Sequence, residues 1–363
     1  MNQLGISIYP GRFPVEKDEA YLELAARYGF TRVFTCLLSI DCKNSKQISQ
    51  VKSIVSFANR LGMEVIVDVS PRVFSALGIS PTDLSLFYKW GVAGIRLDLG
   101  FTGMEEALMT TNPYGLKIEI NMSQGTKHAE TILSYQPNRQ QLTACHNFYP
   151  HRYTGLSWDH FAKTSSSFKA FGFKTAAFVN SQAGTIGPWP VMEGLCTLER
   201  HRDLPVEIQA KHLFATGWID DVLIGNAYAS EEELARLSRI TPDILTFRAE
   251  LAEGISPLER KIVLEEPHFY RGDVSDYMIR STLSRVKYKG ESLPPHLIRP
   301  IRRGDILIDN ERYGQYKGEL QIALRPMENR GQTNVVGRIP EEEQFLLDYL
   351  KPWSRFRFEE QAR

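Results

Sequence analysis

Three short runs of the chain carry acidic residues in a pattern that suits chemistry: Glu64-Val65-Ile66-Val67-Asp68-Val69-Ser70, Gly94-Ile95-Arg96-Leu97-Asp98-Leu99 and Leu116-Lys117-Ile118-Glu119-Ile120-Asn121. In each run apolar and polar residues alternate, as on a β-strand whose two faces meet different surroundings. Val67 and Val69, Ile95, Leu97 and Leu99, and Leu116, Ile118 and Ile120 fall on one face. Asp68 and Ser70, Arg96 and Asp98, and Lys117, Glu119 and Asn121 fall on the other. A buried carboxylate is costly unless it is paired, so the pattern needs a reason. One is an internal ion-pair network in which Arg96 and Lys117 neutralise Asp98 and Glu119. The other is a pair of carboxylates converging on a substrate. Adjacent strand ends bring Cβ atoms to about 5 Å. That is near the ~5–5.5 Å carboxyl separation of a retaining glycosidase and short of the ~6.5–9.5 Å of an inverting one. Asp98 and Glu119 are then the catalytic candidates, one as proton donor, the other as nucleophile or stabiliser of an oxocarbenium-like transition state. The order stays open.

Elements must exist to hold these residues. The first 240 residues alternate strand-like runs with amphipathic stretches, the signature of βαβ units. Eight strands are expected: Leu4–Tyr9, Thr31–Leu38, Glu64–Ser70, Gly94–Gly100, Leu116–Asn121, Leu142–Phe148, Lys174–Asn180 and Asp221–Gly225. Helices fill the gaps, one opened by Ser80-Pro81 and one by the capping box Ser230-Glu231-Glu232-Glu233. Eight units in this length predict a (β/α)8 barrel, with chemistry at the C-terminal ends of the strands. No glycine-rich phosphate loop follows the first strand, which disfavours an open dinucleotide-binding sheet. Residues at the expected rim become candidate substrate contacts: Tyr9, Asp68, Asn121, His146, Asn147, Tyr149 and Asn180. Trp158 and Trp189 could stack on a sugar ring or pack beneath loops. His146 and His151 lie five apart without a Cys/His partner motif, so neither a metal nor another cofactor is expected.

Residues 241–363 change style. A helix is expected to run to about Gly254. Strand-like runs follow at Lys261–Glu265, Tyr277–Ser281, Asp305–Asp309, Gly318–Leu324 and Thr333–Ile339, then a helix at Gln344–Leu350 and a strand at Arg355–Phe358. This reads as a small, mostly-β second domain. Its stretch 271–330 holds twelve Lys/Arg against eight Asp/Glu, either a solvated surface or cations aimed at an anion over the barrel mouth.

Composition narrows the function classes. Forty-three basic residues balance forty-three acidic ones, and without a basic run a nucleic-acid or membrane partner is not expected. The four scattered cysteines suit a reduced compartment. With no leader pattern and no apolar run of about 18 residues, a cytoplasmic location is expected.

Several of these segments resemble one family. Gly5-Ile6-Ser7-Ile8-Tyr9-Pro10, Gly94-Ile95-Arg96-Leu97-Asp98, Asn112-Pro113-Tyr114-Gly115-Leu116-Lys117-Ile118-Glu119, Cys145-His146-Asn147-Phe148-Tyr149-Pro150, Ile224-Gly225-Asn226-Ala227-Tyr228 and Tyr316-Lys317-Gly318-Glu319-Leu320-Gln321 look like the bacterial 6-phospho-N-acetylmuramidases. The resemblance implies a TIM barrel followed by a cyclophilin-like β domain, which the basic excess of 271–330 leads one to expect over the barrel mouth. The implied activity is hydrolysis of N-acetylmuramic acid 6-phosphate-β-1,4-N-acetylglucosamine during peptidoglycan recycling. Arg271 and Lys317, in segments that match the family, are the implied phosphate contacts. Two other readings compete: a Schiff-base aldolase using Lys117, and a phosphosugar-binding regulator without catalysis.

Overall fold

The computed structural model describes residues 2–361. The chain divides into two units at Arg239/Ile240. In the first, eight parallel strands close on themselves: β1 (Leu4–Ser7), β2 (Arg32–Cys36), β3 (Glu64–Val69), β4 (Gly94–Leu97), β5 (Lys117–Asn121), β6 (Leu142–Cys145), β7 (Lys174–Val179) and β8 (Asp221–Ile224). β8 returns to pair with β1 through Gly5↔Leu223. Helices connect successive strands, so this unit is a TIM barrel.

Alternation explains why these runs form these strands. Val65, Val67, Ile95 and Ile118 are fully buried, and Leu97 and Ile120 nearly so, on the face opposite Asp68, Arg96 and Glu119. Local signals set the helix ends. Asn44 caps Ser45–Arg60 by accepting from the Lys46 and Gln47 amides, and Ser230 with Glu233 forms the expected capping box of Glu231–Ser238. Two expectations need correction here. Ser80 and Pro81 do not open a helix; Ser80 closes a turn onto Asp83, and the helix begins at Ser85, whose amide donates to Asp83 Oδ1 at 2.9 Å. Leu99 does not face the helices but is 57% exposed, because β4 ends at Leu97 and the alternation ends with it.

One glycine sets a close approach. Gly94 pairs with Lys117, and a Cβ at Gly94 would lie 2.5 Å from the Lys117 carbonyl oxygen and 2.9 Å from Ile66 Cδ1. Gly94→Ala is expected to destabilise the barrel by about 1–3 kcal/mol, the usual cost of forcing atoms into a packed interior. Thermal unfolding checks this; an unchanged Tm would mean that the strands separate without strain.

The second unit holds a seven-stranded mixed sheet in the order β10-β15-β9-β14-β12-β13-β11. Its strands are β9 (Ile244–Leu251), β10 (His268–Phe269), β11 (Met278–Ser281), β12 (Asp305–Asp309), β13 (Leu320–Ala323), β14 (Thr333–Arg338) and β15 (Arg355–Glu360). Two elements differ from expectation. The segment expected as a helix up to Gly254 contains β9, and Lys261–Glu265 belongs to the helix Pro257–Glu265 rather than to a strand. In Ile244-Leu245-Thr246-Phe247-Arg248-Ala249 the period of two prevails over the cap-like Thr241-Pro242-Asp243. For the helix, Ser256 and Glu259 form a capping box with Pro257 at its first position, a start signal that outweighs the β-branched Ile262 and Val263.

Candidate active site

The strand ends of the barrel line a cavity of about 240 Å³. Its walls are Cys36 at the end of β2 and Leu38 just beyond it, Asp68 on β3, Arg96 and Asp98 at the end of β4, Asn147, Phe148 and Tyr149 after β6, and Trp189 after β7. Arg96 organises the charge. Its Nη1 donates to Asp68 Oδ1 at 2.6 Å and stands 3.5 Å from Asp98 Oδ1. Its Nη2 donates to the Asn147 side-chain oxygen. The two contacts to one nitrogen cap the separation of those carboxylate oxygens at about 6 Å.

The two carboxylates live in different surroundings. Asp68 has a side chain only 6% exposed, whereas that of Asp98 is 32% exposed. Burial pushes the Asp68 carboxyl up to about 7; Arg96 pulls it down, and the nearby charges of Asp98 and Glu119 push it up again. A carboxyl in that range can hold a proton near neutrality and, on giving it up, becomes an anion that the guanidinium stabilises. Cys36 Sγ lies 3.7 Å from Asp68 Oδ2, and burial raises its thiol, so it stays protonated.

A hydrogen-bonded chain fixes Arg96 from behind. His146, fully buried, bonds Ser123 Oγ through Nδ1 at 3.0 Å and Ser165 Oγ through Nε2 at 2.9 Å. Ser123 Oγ accepts from the Asn147 amide at 2.8 Å, and Asn147 in turn holds Arg96. Burial lowers the His146 ring to about 3, so it is neutral. Asn121 donates to the Asp98 carbonyl at 3.1 Å and accepts from the Ser123 amide at 2.9 Å. Among the described residues no group of His, Cys, Asp or Glu could hold a metal ion.

Residues 4–239 match the N-terminal family of 6-phospho-N-acetylmuramidases, and residues 245–359 match the C-terminal one. The chain belongs to the 6-phospho-N-acetylmuramidase family. It is similar to an uncharacterized B. cereus protein of known structure, at 48% identity over 99% of both chains with a TM-score of 0.92. It is also similar to a conserved Enterococcus faecalis protein of unknown function, at 25% identity over 99% of this chain and 97% of that one, with a TM-score of 0.75. No curated protein matches.

In this 6-phospho-N-acetylmuramidase family member, the sequence candidates separate. Asp68, Asp98, Asn147 and Tyr149 line the cavity. Glu119 does not line it; it pairs with Arg96 across β4 and β5, as Asp68 does across β3 and β4, but its carboxylate is drawn to Arg32. There its carboxylate accepts from Arg32, which also bonds Asp221 at 3.0 Å; Lys174 bonds Asp221 at 2.8 Å. Lys117 opens β5, at the end of the barrel away from the cavity, and bonds Glu64 at 2.7 Å, so it is not a Schiff-base lysine facing the rim. His146 is a core hydrogen bonder rather than a substrate contact. Tyr9 is 3% exposed and donates its hydroxyl to the Gly225 carbonyl. Asn180 is tied down by the Leu195 amide at 2.8 Å and the Arg202 carbonyl at 3.2 Å. Both stitch the rim together instead of facing the cavity. Trp158 stacks between His212 and Trp218, at ring separations of 5.0 and 5.9 Å. In the second unit, Lys317 donates to the Glu291 carbonyl, and Arg271 grips Asp273 through Nε and Nη2, both at 2.7 Å. The strand alternation turns Arg96 inward without marking it as a site residue; its place two positions before Asp98 on the same strand face is the signal for that.

Proposed function

We propose that this chain hydrolyses N-acetylmuramic acid 6-phosphate-β-1,4-N-acetylglucosamine, with Asp68 as the proton donor and Asp98 as its partner at the anomeric carbon. The observation that carries this reading is the pair of dissimilar carboxylates on one Arg96 nitrogen at the cavity wall. The protonated Asp68 gives its proton to the glycosidic oxygen as the C1–O bond breaks. Asp98, or the oxygen of a substrate acetamido group whose N–H donates to Asp98, forms the new bond at C1 from the opposite face. The Asp68 carboxylate, steadied by Arg96, then takes a proton from the water that attacks C1; the bond from C1 to Asp98 or to the acetamido oxygen breaks, and the phosphosugar leaves. The nearest oxygens of the two carboxylates lie within about 6 Å of each other, a spacing compatible with net retention by either route. The cavity falls just short of the usual range for small-molecule sites, roughly 300–1,000 Å³, which suits one sugar ring with the rest of the disaccharide outside it. Such a substrate arises by phosphorylating import of a cell-wall fragment, which places the activity in peptidoglycan recycling within the cytoplasm.

Proton NMR of the reaction with the 6-phosphorylated disaccharide tests the proposal, with first-formed product of retained anomeric configuration as the expected result. Inverted product would overturn the carboxylate roles, and no product would favour a binding regulator. The unphosphorylated disaccharide is expected to react with kcat/KM lower by about tenfold or more, since charge-assisted bonds to a phosphate exceed neutral ones. Equal kcat/KM on the two would mean that the phosphate is not recognised.

A further inference from the structure

We infer that Trp189 forms the subsite for the leaving group, with the pyranose ring of N-acetylglucosamine stacked on its indole face. The choice of sugar rests on the hydrolytic reading; the platform rests on the geometry of the cavity wall. Three aromatic residues line that wall: Phe148, Tyr149 and Trp189. Phe148 is committed to the core, edge-on to Phe34 and Phe178 at ring separations of 5.8 and 5.0 Å. Tyr149 is partly buried, and its amide donates to the Cys196 carbonyl at 3.1 Å. Trp189 is 38% exposed. Among the described residues its indole has no hydrogen bond, no aromatic partner and no cation over its ring, unlike Trp158, which is enclosed by His212 and Trp218.

An open indole beside Asp68, Arg96, Asp98 and Asn147 suits a ligand with an apolar face and a polar edge. A hexopyranose chair with equatorial substituents is such a group. Its axial C–H bonds form a weakly positive face that complements the negative face of an aromatic ring, while its hydroxyls stay at the edge.

The loop holds the indole in place without a ligand. Arg12 Nη2 donates to the Pro188 carbonyl at 2.6 Å, the Ala227 amide to the Ile186 carbonyl at 2.8 Å, and Asn226 Nδ2 to the Gly184 carbonyl at 2.6 Å. Pro188 and Pro190 flank Trp189 and narrow its backbone choices. A platform ordered in advance loses little freedom on binding.

Position selects the leaving group. The carboxylates act at C1, so the ring that the cavity of about 240 Å³ encloses is the phosphosugar. The ring beyond the glycosidic oxygen then lies toward the open rim. In the closed order of eight strands β7 stands opposite β3, so the loop after β7 faces Asp68 across the mouth. A ring whose linking oxygen takes the Asp68 proton extends from there toward Trp189.

Titration calorimetry of the full chain tests the inference, with N-acetylglucosamine and N-acetylmuramic acid 6-phosphate each used alone. Trp189→Ala is expected to weaken N-acetylglucosamine binding by about five- to tenfold and to leave that of the phosphosugar within about twofold. Trp189→Phe keeps a ring and should hold N-acetylglucosamine within about threefold of wild type. Unchanged N-acetylglucosamine affinity in Trp189→Ala overturns the inference, as does an equal or larger loss for the phosphosugar. It is also overturned if Trp189→Phe loses as much as Trp189→Ala, or if the wild type binds no N-acetylglucosamine at millimolar concentrations. Thermal unfolding of both variants separates lost binding from lost folding. Because binding is read without turnover, a disaccharide that is not cleaved would remove the hydrolytic reading, while Trp189-dependent binding of N-acetylglucosamine would still support the subsite.

Discussion

Asp68→Asn and Asp98→Asn are each expected to lower kcat on the 6-phosphorylated disaccharide by about 10²-fold or more in folded protein. Both changes remove the charge while keeping the volume, so Arg96 retains oxygen acceptors at the same places. The pH profile distinguishes the two roles. Asp68 must carry its proton to act, and its carboxyl is raised to about 7. Wild-type kcat should therefore fall as pH rises through about 7. The residual activity of Asp68→Asn should lack that alkaline limb, whereas that of Asp98→Asn should keep it. Turnover by both variants within tenfold of wild type would remove the two carboxylates from the mechanism.

The second large effect lies away from the cavity wall and concerns folding. Arg32→Ala would strand the Glu119 carboxylate, which is 1% exposed, while Asp221 would keep Lys174. Removing one member of a buried pair leaves an uncompensated charge, so a loss of about 3–5 kcal/mol is expected in urea unfolding at neutral pH. Glu119→Gln provides the complementary check. It keeps the volume, so it should lower stability by less than Arg32→Ala and leave kcat within a few-fold. A drop of 10²-fold in kcat at unchanged stability would make Glu119 a reacting group and overturn the assignment to Asp68.

The contrast between these two clusters marks what the sequence could convey. Alternation told which side chains enter the barrel: Asp68, Arg96, Asp98 and Glu119 all do. It did not tell their height, because the stagger between neighbouring strands is a property of barrel closure rather than of any one strand. Reading Asp98 and Glu119 as neighbours assumed level strand ends, and the Arg96↔Glu119 register sets them a layer apart. Arg32 escaped notice because it opens its strand as a lone inward cation, and its partners come from β5 and β8, 87 and 189 residues away. Tyr9, His146 and Asn180 fell at the rim as expected, but residue type alone could not separate groups that face the cavity from groups that bond the loops beneath it. In the second unit, the capping pattern Ser256-Pro257-Leu258-Glu259 prevails over the strand-like run expected at Lys261–Glu265, whereas Thr241-Pro242-Asp243 imitates a helix start ahead of a strand.

The neutral His146 ring gives the outer shell of the barrel a grip on its proposed reaction centre. Ser165 sits on the peripheral helix Trp158–Ala170, yet only His146, Ser123 and Asn147 stand between its hydroxyl and the guanidinium that spaces the two carboxylates. None of these links changes charge near neutrality, so what passes along them is position alone. A substitution on that helix, remote from any sugar, can thus retune how far apart the acid and its partner stand, and descendants of this chain can alter the reaction while every residue that touches the ligand stays the same.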